Sequence, residues 1–217
     1  FHFISPSIQK IKEQITKTKD VFISNVGISL YMTSTSFILG VVTGRNDVVG
    51  FYTIAEKTVR GIRYIVSPIT QALFPYLSMR FSGNTKKEAI LILKKLIYYL
   101  TPALIICIIG IFIFTEKIVQ FLTGSANPST ILDMRIISSI LLIGTFNNIL
   151  GILGLINMKM EKEFKNNVLL SGFFNIVVCV IASYYLLDIG ASISIVATEL
   201  FLFLLIYRNL LKIYKNA

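Results

Sequence analysis

The sequence has 217 residues, 54% of them hydrophobic and 15% charged, with a net charge of +10. A soluble domain carries about 25% charged residues, so this composition, with a mean hydropathy of +0.74, excludes an ordinary water-soluble fold. It points instead to an all-α, polytopic membrane protein, in which six spans of about 20 residues each would take a little over half the chain.

Residues 1–20 are too charged to span a membrane. Ile4, Ile8, Ile11 and Ile15 recur at helical spacing, the lysines 10, 12, 17 and 19 lie on other faces, and Ser5-Pro6 supplies a helix start. The pattern predicts a cytoplasmic amphipathic linker helix lying in the membrane interface, with a loop helix packed on the body of the protein as the alternative. Six predicted spans follow over residues 21–217, at about 21–44, 49–78, 96–114, 136–156, 168–187 and 191–207. Gly124, Asn127 and Pro128 mark a turn-rich connection before the fourth span, and the connection at Asp188 is tight. The chain opens on Phe1 with no basic segment or cleavage site before the first span, so a piece of a longer protein is expected.

The loops predict orientation. Of 21 Lys and Arg residues, 15 fall on the side that carries both ends of the chain, and only Arg45, Lys117 and Arg135 fall on the other. Basic residues concentrate on the cytoplasmic side of membrane proteins, so both ends of this chain are expected there. Because these residues sit in short loops and not along one soluble face, nucleic acid is not an expected partner. Cys107 and Cys179 lie in apolar spans, where a thiol behaves as a small hydrophobe.

The second span departs from what lipid demands, because Glu56, Lys57, Arg60 and Arg63 fall in its first half. A charged residue at the bilayer centre costs about 2.5–3.5 kcal/mol on insertion scales, so these groups should face protein or water. At 100° per residue, Tyr52, Glu56, Arg60, Arg63, Ser67, Thr70 and Gln71 share an arc of roughly 100°. Lys57 lies at its edge, and Pro68 and Pro75 are candidate bends. Two readings are open: a cationic cavity lining, or an i,i+4 ion pair between Glu56 and Arg60 that neutralises both.

Milder polar faces run along the first span (Asn25, Ser29, Thr33, Ser36, Thr43) and the fifth (Asn167, Ser171, Asn175). They suit either a shared hydrated cavity or ordinary interhelical hydrogen bonding. Glu199, inside the last span, could take a coupling H⁺ or Na⁺, stay protonated and inert, or partner a basic residue on another helix. His2 is the sole histidine and there is no Gly-rich Lys-Ser/Thr loop, so neither a His-based metal site, a P-loop nor any other cofactor is expected, and no enzyme activity.

The stretch VVGFYTIAEKTVRGIRYIVSPITQALFPYLS (48–78) resembles the eighth transmembrane helix of Wzx-type polysaccharide flippases. Residues 22–40, FISNVGISLYMTSTSFILG, are similar to the seventh, and LTGSANPSTILDMRIIS (122–138) to the ninth-to-tenth connection. The resemblance implies one six-helix bundle, the second half of a twelve-helix MATE-like fold in a bacterial inner membrane. It also implies movement of an undecaprenyl-diphosphate-linked oligosaccharide, an O-antigen or capsule repeat unit, to the outer leaflet by alternating access. The implied partners are that lipid-linked diphosphate, membrane lipids and an N-terminal six-helix half, with a polysaccharide polymerase and a chain-length regulator as further candidates. The family's cationic cavity falls on Arg60 and Arg63, with Lys57 and Glu56 beside them and Tyr52, Asn25, Ser29 and Gln71 placed to meet sugar hydroxyls. A MATE-like drug exporter and a non-transport membrane component of polysaccharide synthesis are the alternatives. The first should carry an acidic lining and the second a large catalytic outer loop.

Overall fold

The computed structural model describes residues 8–83 and 85–215, and among these every regular element is helical. Ser5-Pro6 and Ile4 lie outside the described residues. Helix α1 (Ile8–Thr43) runs unbroken from the lysine-bearing segment into the first apolar stretch. At 1.5 Å per residue it is about 54 Å long, well beyond the ~30 Å of a bilayer's hydrocarbon core. Gly44, at φ 64°, ends it in a left-handed conformation that a side chain would disfavour. In the turn that follows, Arg45 pairs with Asp47 at 2.6 Å, and that guanidinium holds the Asp47 carboxyl below its usual range.

Helix α2 (Asn46–Tyr64) and helix α3 (Ser67–Ser82) replace the single second span expected from the sequence. Between them the backbone tightens, Ile65 N donating to Ile62 O and Val66 N to Arg63 O. Pro68 explains the break: it has no amide hydrogen, and its ring clashes with the carbonyl four residues back, whereas the first turn of a new helix accommodates it. Helix α4 (Lys86–Thr123) runs 38 residues with Pro102 inside it and closes at Gly124, φ 77°. Asn127 caps α5 (Pro128–Ser138), its Oδ1 accepting from Ser129 N at 3.0 Å and Thr130 N at 3.3 Å. Helix α6 (Ile140–Asn148) passes into a π-helical stretch, Ile149–Ile156.

Helix α7 (Glu161–Lys215) contains one non-helical residue, Leu187, at φ 53° and ψ −129°, and folds there into two arms. Gly190 lets the arms meet: a Cβ on it would lie 2.1 Å from the Ala182 carbonyl oxygen. Among the described residues four stretches are long and apolar enough to cross a membrane: Thr18–Thr43, Lys86–Thr123, Pro128–Ile156 and Glu161–Lys212. The last contains both arms of α7, and α2–α3 does not qualify because of its charges and its break.

Three apolar clusters hold the helices together. Leu39, Tyr52, Val59, Ile111, Met134 and Ile195 join α1, α2, α4, α5 and α7. Leu77, Leu93 and Leu153 tie α3 and α4 to the π-helical stretch, and Phe164, Leu202 and Ile206 tie both arms of α7 to it. Large apolar side chains on the opposite faces, among them Phe37, Ile113 and Phe173, are exposed, as lipid-facing residues are. Between lipid-soluble helices close packing and interhelical hydrogen bonds carry the association. Here Thr35 of α1 donates to Asn175 Oδ1, and Asn175 Nδ2 donates to Thr198, each at 3.1 Å. At the N-terminal end of α7, Lys165 pairs with Asp20 of α1 at 2.7 Å.

Candidate functional site

The buried face of α2 carries Tyr52, Glu56 and Arg60 at successive four-residue steps. The Arg60 Nε donates to Glu56 Oε1 at 2.9 Å, and Nη2 lies at the same distance from that oxygen. With side chains only 10% and 7% exposed, this is an internal pair rather than a solvated one. Arg63, most of a turn further on, finds a different partner. Its Nη1 donates to Glu199 Oε1 at 3.0 Å, on the second arm of α7. Asn147 of α6 completes the carboxylate's shell: its Nδ2 donates to Glu199 Oε2 at 2.7 Å and to the Glu199 backbone oxygen at 2.8 Å.

Gly144, one turn before Asn147 on α6, makes room for this arrangement. A Cβ there would sit 2.5 Å from Arg63 Nη1. A cavity of about 70 Å³ opens beside Arg63, bounded by Ser67, Thr70, Thr145 and Asn148. The buried Thr145 Oγ1 and Asn148 Oδ1 have no hydrogen-bond partner among the described residues. A buried polar atom without a partner is costly, so this is a place for water or for the polar atoms of a ligand. The site as a whole balances its charge: two carboxylates meet two guanidiniums, each within one pair.

The remaining residues singled out by sequence lie apart from this network. Lys57 is exposed, on α2 but off its buried face. Gln71 is also exposed, and its Nε2 donates to Ser67 Oγ at 3.0 Å, near the cavity but on α3. Asn25 and Ser29 are exposed on α1, where Ser29 Oγ donates to the Asn25 carbonyl of its own helix. Asn167, Ser171 and Asn175 of the fifth predicted span are buried, and Asn175 bonds to neighbouring helices instead of facing an opening. A second acidic place lies nearer the α7 fold: Asp133 accepts from Ser192 Oγ at 2.7 Å and faces Asp188. Among the described residues no group of three or more His, Cys, Asp or Glu could hold a metal ion.

Sequence reasoning missed Asn147, Gly144, Thr145 and Asn148. The one signal available was the Asn147-Asn148 pair inside an otherwise apolar run.

A family model described as polysaccharide biosynthesis protein matches residues 1–81. Over 200 residues the chain is 28% identical to the "Putative O-antigen transporter" of Escherichia coli (strain K12), covering 90% of this chain and 47% of that protein. The resemblance to the Wzx-type polysaccharide flippase family is borne out. The chain spans about half the length of the curated relative it matches, and no solved structure matches it significantly. The family-model match takes in α1 to α3 and so the α2 charges, and ends before Asn147 and Glu199. The long apolar helices, together with the likeness to a transporter, make this a multi-pass membrane protein.

Proposed function

We propose that the chain is the second half of an exporter that flips an undecaprenyl-diphosphate-linked oligosaccharide from the inner to the outer leaflet of a bacterial inner membrane. In this reading six spans form one six-helix bundle of a twelve-helix, MATE-like protein with both ends of the chain cytoplasmic. A large part of the cavity belongs to the other bundle, and the cycle is one of alternating access. The observation that carries the reading is the pair of ion pairs built into apolar helices of an O-antigen transporter relative, Arg63–Glu199 above all.

The chemistry follows from the geometry. Arginine stays charged at any working pH and offers planar, paired donors that fit phosphate oxygens. At present Arg63 spends those donors on Glu199. A diphosphate reaching the adjoining cavity competes with that carboxylate for the same guanidinium. A proton, or another cation, taken up by Glu199 removes the competitor and frees Arg63, while Asn147 keeps the protonated side chain in place. Binding of an anionic headgroup and binding of the coupling ion thereby favour each other, as linkage between two sites requires. Arg60 stands one turn away with Glu56 as its own counter-charge, and Thr70 and Gln71 offer hydroxyl and amide groups toward sugars, whereas Tyr52, expected to do the same, is fully buried in the apolar cluster.

Deleting the full gene and scoring surface polysaccharide on gels tests the proposal. Loss of the polysaccharide with lipid-linked repeat units accumulating inside, restored by a plasmid copy, is the expected result. Unchanged polysaccharide together with new sensitivity to cationic dyes would instead favour drug export.

A further inference from the structure

We propose that the large cavity at the lysine-rich end of the molecule is a binding site for the phosphate-bearing headgroup of a lipid. It is separate from the Arg63–Glu199 site and does not depend on what that site transports. Its volume is about 660 Å³, inside the ~300–1,000 Å³ range of small-molecule sites. It lies where the end of α3, the start of α4, the turn at 157–160 and the second arm of α7 come together.

Three ammonium groups border it: Lys86 and Lys87 in the first turn of α4, and Lys159 in the turn before α7. Among the described residues no carboxylate pairs with any of the three, and Glu88, the acid next along α4, is engaged by Arg80. The α4 dipole adds to this positive potential rather than opposing it, since its positive end is where Lys86 and Lys87 sit. Among the described residues Lys159 is one of two non-glycine residues with positive φ, at 61°. Such a conformation costs free energy and persists only where the surroundings impose it. Here Met158 N donates to Gly154 O and Met160 N to Leu155 O, each at 3.0 Å, locking the turn that carries Lys159 to the cavity.

The walls decide between a free anion and a lipid. Phe81, Met158 and Met160 line the cavity alongside the lysines. A free phosphate needs only the charges and is poorly served by an aromatic ring and two thioethers. A headgroup with its glycerol and upper acyl carbons uses both, and methionine adapts readily to irregular apolar chains. Lysine, a compact point charge, is suited to phosphate. Basic pockets between membrane helices are a recognised place for anionic headgroups.

The test is native mass spectrometry of the full-length protein released from membranes, titrated with cardiolipin or phosphatidylcholine as probes. The wild type should retain cardiolipin over phosphatidylcholine. Replacing all three lysines (Lys86→Gln, Lys87→Gln, Lys159→Gln) should lower cardiolipin retention by roughly tenfold or more, while Lys117→Gln, at the far end of α4, should not. Met158→Trp keeps every charge but fills the cavity, and should also lower retention. Equal retention by the triple variant, or undiminished retention by Met158→Trp, would overturn the proposal. So would equal retention of the two lipids, or inorganic diphosphate binding at the lysines with no effect on bound cardiolipin.

Discussion

Arg63 and Glu199 meet with side chains 16% and 1% exposed, so removing either partner strands a charge that water barely reaches. Breaking a buried pair from one side typically costs about 3–5 kcal/mol. The two sides differ here, however. Arg63→Ala leaves a buried carboxylate supported only by Asn147, and should abolish export while lowering the thermal midpoint of the purified protein. Glu199→Gln keeps the side-chain volume and an acceptor for Asn147 but leaves Arg63, beside the cavity, without its counter-charge, so it should insert in the membrane with a lowered thermal midpoint. If Glu199 is the coupling group, export by Glu199→Gln should be impaired and insensitive to pH; a normal rate across a pH series would remove it from coupling. Gly144→Ala probes the same pair without touching either charge. Its Cβ meets the flexible end of Arg63 and pushes the guanidinium off Glu199, so export should fall while membrane levels of the protein hold. The periodicity of α2 was enough to show that Tyr52, Glu56, Arg60 and Arg63 share one side, because a helix has a fixed angular repeat. It could not name Glu199 as the partner of Arg63, which lies 136 residues away, since nothing in a helical repeat says which helix packs on which. Asn25 and Ser29 follow the same repeat, yet that face of α1 is exposed. Its neighbour Thr35 makes the interhelical bond instead.

At the scale of elements, two breaks shape the site. The α2–α3 break turns one expected stripe into two, so Arg63 reaches α7 while Gln71 stays with Ser67. Prolines 68 and 75 were visible in the sequence, but whether a proline bends a helix or ends it depends on what replaces the lost hydrogen bonds. Here the i→i−3 bonds at Ile65 and Val66 end it. The α7 fold was legible as a tight connection at Asp188, since that acid interrupts two apolar runs. Leu187 carries the turn at φ 53° and ψ −129°, a sparsely populated region natural to glycine, where a side chain costs about 1–3 kcal/mol. Glycine there relieves that strain and loses about 0.5–1 kcal/mol through its freer unfolded chain. Leu187→Gly should therefore raise the thermal midpoint slightly, and Leu187→Ala should not. Gly190→Ala has no such tolerance, because its Cβ would strike the backbone of Ala182 rather than a movable side chain. Little folded protein should be recovered from membranes.

For the whole molecule, composition and loop charge already told of a polytopic helical protein, because lipid imposes long apolar helices whatever the function. Three-dimensional neighbours came only with the structure. Thr35, Asn175 and Thr198, drawn from α1 and both arms of α7, bond in a row across the bundle. Asn175→Ala removes two interhelical hydrogen bonds and should destabilise the protein by about 1 kcal/mol, at an average of about 0.6 kcal/mol per bond in a membrane, with export retained. That contrast separates polar groups that hold helices together from those at the ion-paired site. The most direct test of the site's role is complementation of the deletion strain with Arg63→Ala in the full-length protein, scoring surface polysaccharide, lipid-linked intermediates and membrane levels together. The account predicts inserted protein, no surface polysaccharide and accumulated lipid-linked repeat units. Normal surface polysaccharide from Arg63→Ala would contradict it.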